Sequence, residues 1–368
     1  MNQDASARRS VMVECGAVGE FPWWMSQAGG SLVVSTYQAG KVAMIGWDGQ
    51  QVTLLMRHFD KPMGLAVYRR QLALASRNDV WLLADAPLLA HDYLETQPGR
   101  YDGIFLPRAS YHTGDLNIHD VAFDAGGLIL VATRFSCLAR LSHDFSFVPV
   151  WRPKFVTDTV PEDRCHLNGL AMVQGRPKFV TALGRTDTPG GWREDKASGG
   201  VVIEVESQEI VADGLSMPHS PRWHDGKLWV LNSGTGELLT IDPANGRREV
   251  VVELPGYLRG LCFVGPYALV GLSKIREKHI FGNLPIQERY EELKCGVAAV
   301  DLRVGKVLGM FEFTAGCEEL YDIQMLAGVF RPMVLNLEKP AAREAITNPE
   351  SCYWIRPAAE VSLGGRAT

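Results

Sequence analysis

The sequence predicts an all-β chain folded as a single closed β-propeller, of seven blades or, in the alternative, six. Three observations carry this. Short apolar runs of strand length alternate with turn residues along nearly the whole chain, and helical periodicity is scarce. A two-strand unit recurs at a mean spacing of about 50 residues, the length of a four-stranded blade. Glycine, at 37 of 368 residues, exceeds the usual ~7%, as frequent turns require.

The unit is an apolar strand, a turn and a second apolar strand, and its copies begin at Trp24, Met63, His119, Asn168, His219, Arg259 and Tyr321. The first copy is the poorest: Trp24-Met25-Ser26 leads to Leu32-Val33-Val34. Met63-Gly64-Leu65 leads through Arg69-Arg70 to Leu72-Ala73-Leu74, and His119-Asp120-Val121 through Ala125-Gly126 to Leu128-Ile129-Leu130. Asn168-Gly169-Leu170 leads through Gln174-Gly175 to Lys178-Phe179-Val180, and His219-Ser220-Pro221 through Asp225-Gly226 to Leu228-Trp229-Val230. Arg259-Gly260-Leu261 leads through Gly265-Pro266 to Ala268-Leu269-Val270, and Tyr321-Asp322-Ile323 through Ala327-Gly328 to Met333-Val334-Leu335. Dipeptides such as Asp225-Gly226 supply the positive φ that tight turns need. The seventh copy needs outer strands from a chain end, and residues 11–14 or 352–355 could close the ring. Residues 1–20 then form an N-terminal arm or closing strand, 21–357 the propeller and 358–368 a flexible tail. Residues 286–293 and 340–347 are the stretches that could hold a helix.

Composition excludes several classes of function. Hydrophobic residues at 46% and charged residues at 21% rule out wholesale disorder. A net charge of −5 and a pI near 6.0 argue against a nucleic-acid partner. Apolar runs such as 128–132 fall far short of the ~20 residues that cross a bilayer, so no membrane partner is expected. The first 24 residues lack the apolar core of a signal peptide, and seven scattered cysteines without a Cys-x-x-Cys pair suit reduced thiols, so a cytoplasmic location is expected.

Several long motifs carry a family resemblance. Asp163-Arg164-Cys165-His166-Leu167-Asn168-Gly169-Leu170-Ala171 and Gly214-Leu215-Ser216-Met217-Pro218-His219-Ser220-Pro221-Arg222 resemble signatures of a bacterial conserved-hypothetical family of propellers. So do Thr113-Gly114-Asp115 with His119-Asp120, Leu231-Asn232-Ser233-Gly234-Thr235-Gly236-Glu237-Leu238, and Glu318-Glu319-Leu320-Tyr321-Asp322. The resemblance runs from about Leu32 to Pro332 and implies no assigned reaction or cofactor. More loosely, the blade pattern is similar to gluconolactonase-like sugar-lactone hydrolases and streptogramin lyases, which implies metal-dependent chemistry at one mouth of the channel.

In a propeller, the innermost strand of each blade lines the axis, so the repeat places Trp24, Met63, His119, Asn168, His219, Arg259 and Tyr321 in one ring. His166 lies on the side of Asn168 and Glu319 on that of Tyr321, because strand side chains alternate. Burying such polar groups costs free energy unless they are paired, hydrated or liganded. Channel water alone would satisfy any one of them. The ring as a whole points to a site. His119, His166 and His219 are the candidate catalytic acids or bases. Asn168, Arg259 and Tyr321, with Arg134 and Arg185 from the loops after second strands, are the candidate substrate binders. Arginine or lysine follows a small or hydroxyl residue in four of those loops, which suggests a cationic mouth for a small anionic partner. Solvated charges or ties between blades would explain the same residues. A divalent transition metal, Zn, Fe or Mn, is the candidate cofactor, held by His119, His166 and His219 with Glu319 or Asp322, and with Asp120 orienting a neighbouring imidazole.

Other motifs carry less. Gly234-Thr235-Gly236 lacks the strand–loop–helix setting of a dinucleotide loop, no Gly-x-Ser-x-Gly elbow occurs, and alternation turns Cys165 away from the His166 face. Trp192-Arg193-Glu194-Asp195 sits in a Gly-rich insertion as a lid or an edge plug, and Trp23-Trp24 could stack on a sugar or fill core. The expected function is binding of a small anion at the axial mouth, with hydrolase or lyase chemistry if the protein is an enzyme. A non-catalytic ligand sensor or a protein-interaction scaffold with an unknown protein partner is the alternative.

Overall fold

The computed structural model describes residues 12–275 and 282–356. Their strands form six blades. The first is ordered Ile323–Ala327, Gly30–Ser35, Lys41–Trp47, Val52–His58. The second runs outward from Leu65–Tyr68 through Gln71–Ala75 and Asp79–Asp85 to Gly103–His112, with Pro332–Val334 added in parallel at its edge. The third, fourth and fifth begin on Ile118–Asp124, Leu167–Val173 and Pro218–His224, each with four antiparallel strands. The sixth begins on Tyr257–Val264 and ends on Lys306–Ala315, where Glu14–Gly19 pairs as a fifth strand. Innermost strands touch in order around an axis, and Ile323–Ala327 touches both Tyr257–Val264 and Leu65–Tyr68.

Six is the lower of the two blade numbers the sequence allows, and the reason is specific. The first and seventh repeat copies are two parts of one blade: Leu32 faces Met325, Val33 faces Gln324 and Val34 faces Ile323. Trp24 therefore leaves the axial ring. It lies in the helix Phe21–Gln27, which has Pro22 in its first turn, where a missing N–H costs nothing. Phe21, Trp24 and Met25 share one helical face and are buried between the sixth and first blades, while Trp23 points to solvent. Of the two end segments, residue 11 lies outside the described residues while Glu14 begins the strand added at the edge of the sixth blade, and Cys352–Trp354 pairs with Ala345–Thr347 in a separate hairpin instead of closing the ring. The two helix candidates form only short turns, Ile286–Arg289 and Ala341–Glu344. The expected tail, 358–368, also lies outside the described residues. Among the described residues, no helix is long and apolar enough to cross a membrane.

Apolar side chains fill the spaces between blades. Ile129, Val131 and Leu138 of the third blade pack with Leu170, Val180 and Ile203 of the fourth, and the other seams repeat the arrangement. At the axis the packing follows a different rule, visible one residue after each repeat start. Going round the ring, that position reads Gly64, Asp120, Gly169, Ser220, Gly260, Asp322, so small and polar residues alternate. Each polar side chain accepts an N–H from the next inner strand: Asp120 from Leu170 at 3.0 Å, Ser220 from Gly260 at 3.0 Å and Asp322 from Leu65 at 2.9 Å. Each glycine abuts the following strand. A Cβ on Gly169 would stand 2.2 Å from Pro221 Cδ, and one on Gly64 or Gly260 would stand 3.0 Å from the Cα of Asp120 or Asp322.

Candidate functional site

The polar residues expected at the axis are buried there together. His119, His166, Asn168, His219, Arg259, Glu319 and Tyr321 are each less than 10% exposed. Two of the three imidazoles are set by the same local device. Asn117 has φ +54 and Met217 has φ +47, and each left-handed turn brings its carbonyl back to the histidine two residues on. His119 Nδ1 lies 2.9 Å from the Asn117 oxygen, and His219 Nδ1 lies 2.9 Å from that of Met217. A non-glycine residue in this conformation is strained, and strain of this kind gathers at functional sites. His166 uses a side chain instead: its Nδ1 is 2.9 Å from both carboxylate oxygens of Asp163, two residues that both have positive φ. A carbonyl or carboxylate can only accept, so Nδ1 carries a proton in all three rings.

Ring contacts join these groups into one chain. Trp192 lies 4.4 Å from His166, His166 4.7 Å from His119, and His119 5.3 Å from Tyr321. The Arg259 guanidinium sits 5.0 Å from the Tyr321 ring and 5.1 Å from that of Tyr257, which also meets the His219 ring edge-on at 5.6 Å. Tyr37 stacks on Tyr321 at 5.4 Å. Arg259 Nη1 donates to Glu319 Oε1 at 2.6 Å, with both side chains buried. Two polar atoms of the cluster, His219 Nε2 and Tyr321 Oη, are buried without a hydrogen-bond partner. Such atoms carry a desolvation cost that a bound polar ligand would offset.

Burial sets the protonation states. It holds His119 well below the usual imidazole range, helped by the nearby His166, and does the same to His219 with the charge of Arg259. Both rings are neutral at neutral pH. Burial also raises Tyr321 well above its usual value against the pull of Arg259, so its hydroxyl is a donor. The site thus offers acceptors at imidazole Nε2 atoms and donors at Tyr321 and Arg259.

Other expected site residues are placed differently. Asn168 spends its amide inside the protein, donating to the Pro218 carbonyl at 2.9 Å and accepting from Thr181 at 2.6 Å. Arg134 is directed to Asp115, with bonds of 2.6 Å to its carbonyl and 2.7 Å to its carboxylate, and Arg185 is exposed. The recurring hydroxyls of these loops are ties between blades: Ser35, Thr133, Ser233 and Ser273 donate to the carbonyls of Met63, Leu167, Leu258 and Leu320, each in the next blade. The basic residue after the hydroxyl at Arg77 pairs with Asp60. Arg259 is held by Glu319.

A metal fits poorly. The Nδ1 bonds suit imidazole ligands, but the Glu319 carboxylate is committed to Arg259. Among the described residues, no group of three or more His, Cys, Asp or Glu side chains could hold a metal ion. Asp120 does not orient a histidine as expected. It receives Arg222 Nη1 at 2.7 Å, and Arg222 Nη2 stands 3.5 Å from Asp322. Burial, with the nearby charge of Asp120, raises the Asp322 carboxyl to about 7 against the pull of Arg222.

Several contributors escaped the sequence reading. Asp163 was legible as the acceptor three residues before His166, and Tyr257 as the alternation partner of Arg259. The insertion carrying Trp192 covers His166, with Trp192 Nε1 donating to Asp163 at 3.1 Å and Arg193 lying 4.3 Å over the indole. Cys165 is fully buried beside this site, and burial pushes its thiol up to about 12, so it is no nucleophile.

A family model described as a domain of unknown function, DUF4915, matches residues 19–335. No curated protein matches the chain. Among solved structures, a chain of a nidogen/laminin complex is 14% identical, covering 82% of this chain and 99% of its own, with a TM-score of 0.53. A protein of unknown function from Bacteroides caccae is 10% identical over 80% of this chain and 98% of its own, with a TM-score of 0.49. A gluconolactonase from Xanthomonas campestris is 14% identical over 86% of this chain and 97% of its own, with a TM-score of 0.48. The likeness to the first is one of fold.

Proposed function

We propose, from the premise that this chain belongs to the DUF4915 family, that its axial cluster binds a small anion that also carries hydroxyl groups. The observation behind this reading is the pair of buried, unpartnered atoms, Tyr321 Oη and His219 Nε2, in the ring cluster that Arg259 joins through Tyr321 and Tyr257. Tyr321 and Arg259 donate to the anionic group, and the neutral imidazoles accept from hydroxyls. Glu319 keeps Arg259 in place and balances its charge until the ligand arrives. His219 or His119 then serves as general base, which makes the reaction class hydrolase or lyase. The seven free thiols favour a cytoplasmic setting.

A thermal-shift screen of hydroxycarboxylates and sugar phosphates, followed by titration of the hits, tests the reading. Tyr321→Phe is expected to weaken binding at least about tenfold, the effect of losing one desolvated hydrogen bond to a charged group, and His219→Gln, which loses a bond to a neutral hydroxyl, is expected to weaken it by less. Neutral sugars binding as tightly as their acids, or hits that bind both variants as well as wild type, would end it. Hits that bind as expected but are recovered unchanged assign the pocket to a sensor rather than an enzyme.

A further inference from the structure

On the outer flank of the first two blades, three arginines line one pocket of about 310 Å3. Arg57 comes from the outer strand Val52–His58, Arg100 from the segment leading into Gly103–His112, and Arg331 from the residue before Pro332–Val334. Three cations at one pocket of an acidic chain repel one another unless something neutralises them. Among the described residues, neither Arg57 nor Arg100 has an ion pair. Arg57 spends its two terminal nitrogens on the Met56 carbonyl at 3.1 Å and the Met333 sulfur at 3.4 Å. Arg331 reaches Asp102 only at 3.9 Å, because that carboxylate is already taken up by the backbone N–H groups of Phe330 and of Arg331 itself. Asp48 also lines the pocket, with one oxygen accepting from the amides of Gln50 and Gln51. Most telling, Nε of Arg57 and Nε of Arg331 are both buried with no acceptor. A buried guanidinium N–H without a partner is costly, and two at one pocket mark the place of an acceptor.

We infer that this pocket is a second ligand site, separate from the axial cluster, that takes the phosphate group of a small phosphate monoester. Forked arginine donors match the oxygens of a tetrahedral dianion, whose charge offsets those of Arg57, Arg100 and Arg331. Met44, Leu55 and Pro332 in the pocket wall face the carbon part of the ester. A compact ester fits this volume.

Isothermal titration of the full chain with inorganic phosphate and with glycerol 3-phosphate, in chloride buffers of matched ionic strength, tests this. Saturable binding is expected, tighter for the ester and weaker by at least about tenfold in Arg57→Gln. Arg100→Gln alters an exposed side chain that the fold does not need, and it is expected to weaken binding as well. Tyr321→Phe, at the axis, is expected to leave this binding unchanged. Heats no larger than chloride gives, or binding lost in Tyr321→Phe but kept in Arg57→Gln and Arg100→Gln, overturn the inference. Failure of the axial reading leaves it untouched, since the two sites share no residue.

Discussion

Arg222 reaches across the propeller axis to Asp120, donating at 2.7 Å to a carboxylate that belongs to a blade two places away. Its other terminal nitrogen stands 3.5 Å from Asp322, so one guanidinium bridges the two acidic members of the alternating ring. The third polar member, Ser220, carries no charge, and Arg222 lies two residues beyond it on the same strand. Arg222→Met is therefore expected to destabilise strongly, by about 3–5 kcal/mol, because it strands two buried carboxylates. Urea unfolding measures it, and a loss below about 1 kcal/mol means that the triad is not a unit.

Asp322 gives the same triad a pH signature. Its carboxyl is raised to about 7 in the folded protein, chiefly by burial. The folded state then holds a proton that the unfolded chain has released, so this group's contribution is fully present below the usual carboxylate range and is lost as pH rises toward 7. Wild type minus Asp322→Asn, compared by melting temperature across that window, is expected to fall with pH. A flat difference rejects the raised carboxyl.

His119 and His219 titrate in the opposite sense. His219 is held well below its usual value by burial and then by Arg259, so the unfolded chain takes up protons first on acidification. Its contribution is present above pH about 6.5 and is lost as pH falls below it. His219→Gln removes a titrating group, so the variant is expected to lose less stability than wild type between neutral pH and about pH 5. Parallel melting curves over that range show that the ring stays accessible to protons.

Gly169 tests the steric half of the alternation. A Cβ there would meet Pro221 at 2.2 Å and Thr181 Oγ1 at 2.5 Å, neither of them the end of a long flexible chain. Gly169→Ala is expected to cost about 1–3 kcal/mol in denaturant unfolding, while Gly175→Ala, in open space but at positive φ, reports backbone strain alone. Equal losses at the two positions remove the argument for axial crowding.

Most of the architecture was legible because a blade is local: strand, turn and strand stand next to one another in the sequence, as in His219-Ser220-Pro221 and Leu228-Trp229-Val230. The axial ring was legible for the same reason, since one alignment of inner strands places His119, His219, Arg259 and Tyr321 together. What escaped depends on pairing between distant segments. Nothing local marks Leu32 as the partner of Met325, so one blade was read twice. Trp24 matches an apolar strand start as well as it matches a helix face, and only the spacing of Phe21, Trp24 and Met25 separates the two. The partner of Arg134, Asp115, sits in a loop before the inner strand, where no periodicity fixes position. Asp120 was given to a histidine because Arg222 is 102 residues away and carries no sign of its destination.

The strand Ile323–Ala327 places Gly30–Ser35 beside a segment nearly three hundred residues downstream. Glu319, Tyr321 and Asp322 come with it, and they supply the ion-pair partner of Arg259, the stacking partner of Tyr37 and one arm of the Arg222 bridge. During synthesis, the ribosome has to deliver these three side chains before the axis can bind anything. Pairing across so long a separation is slow. Until it happens, the early blades wait with one sheet lacking its inner strand and Arg259 lacking its counter-ion. Completion of the ring and completion of the axial cluster thus coincide, and a chain arrested before residue 319 would hold most of the propeller's strands and leave Arg259 without its counter-ion.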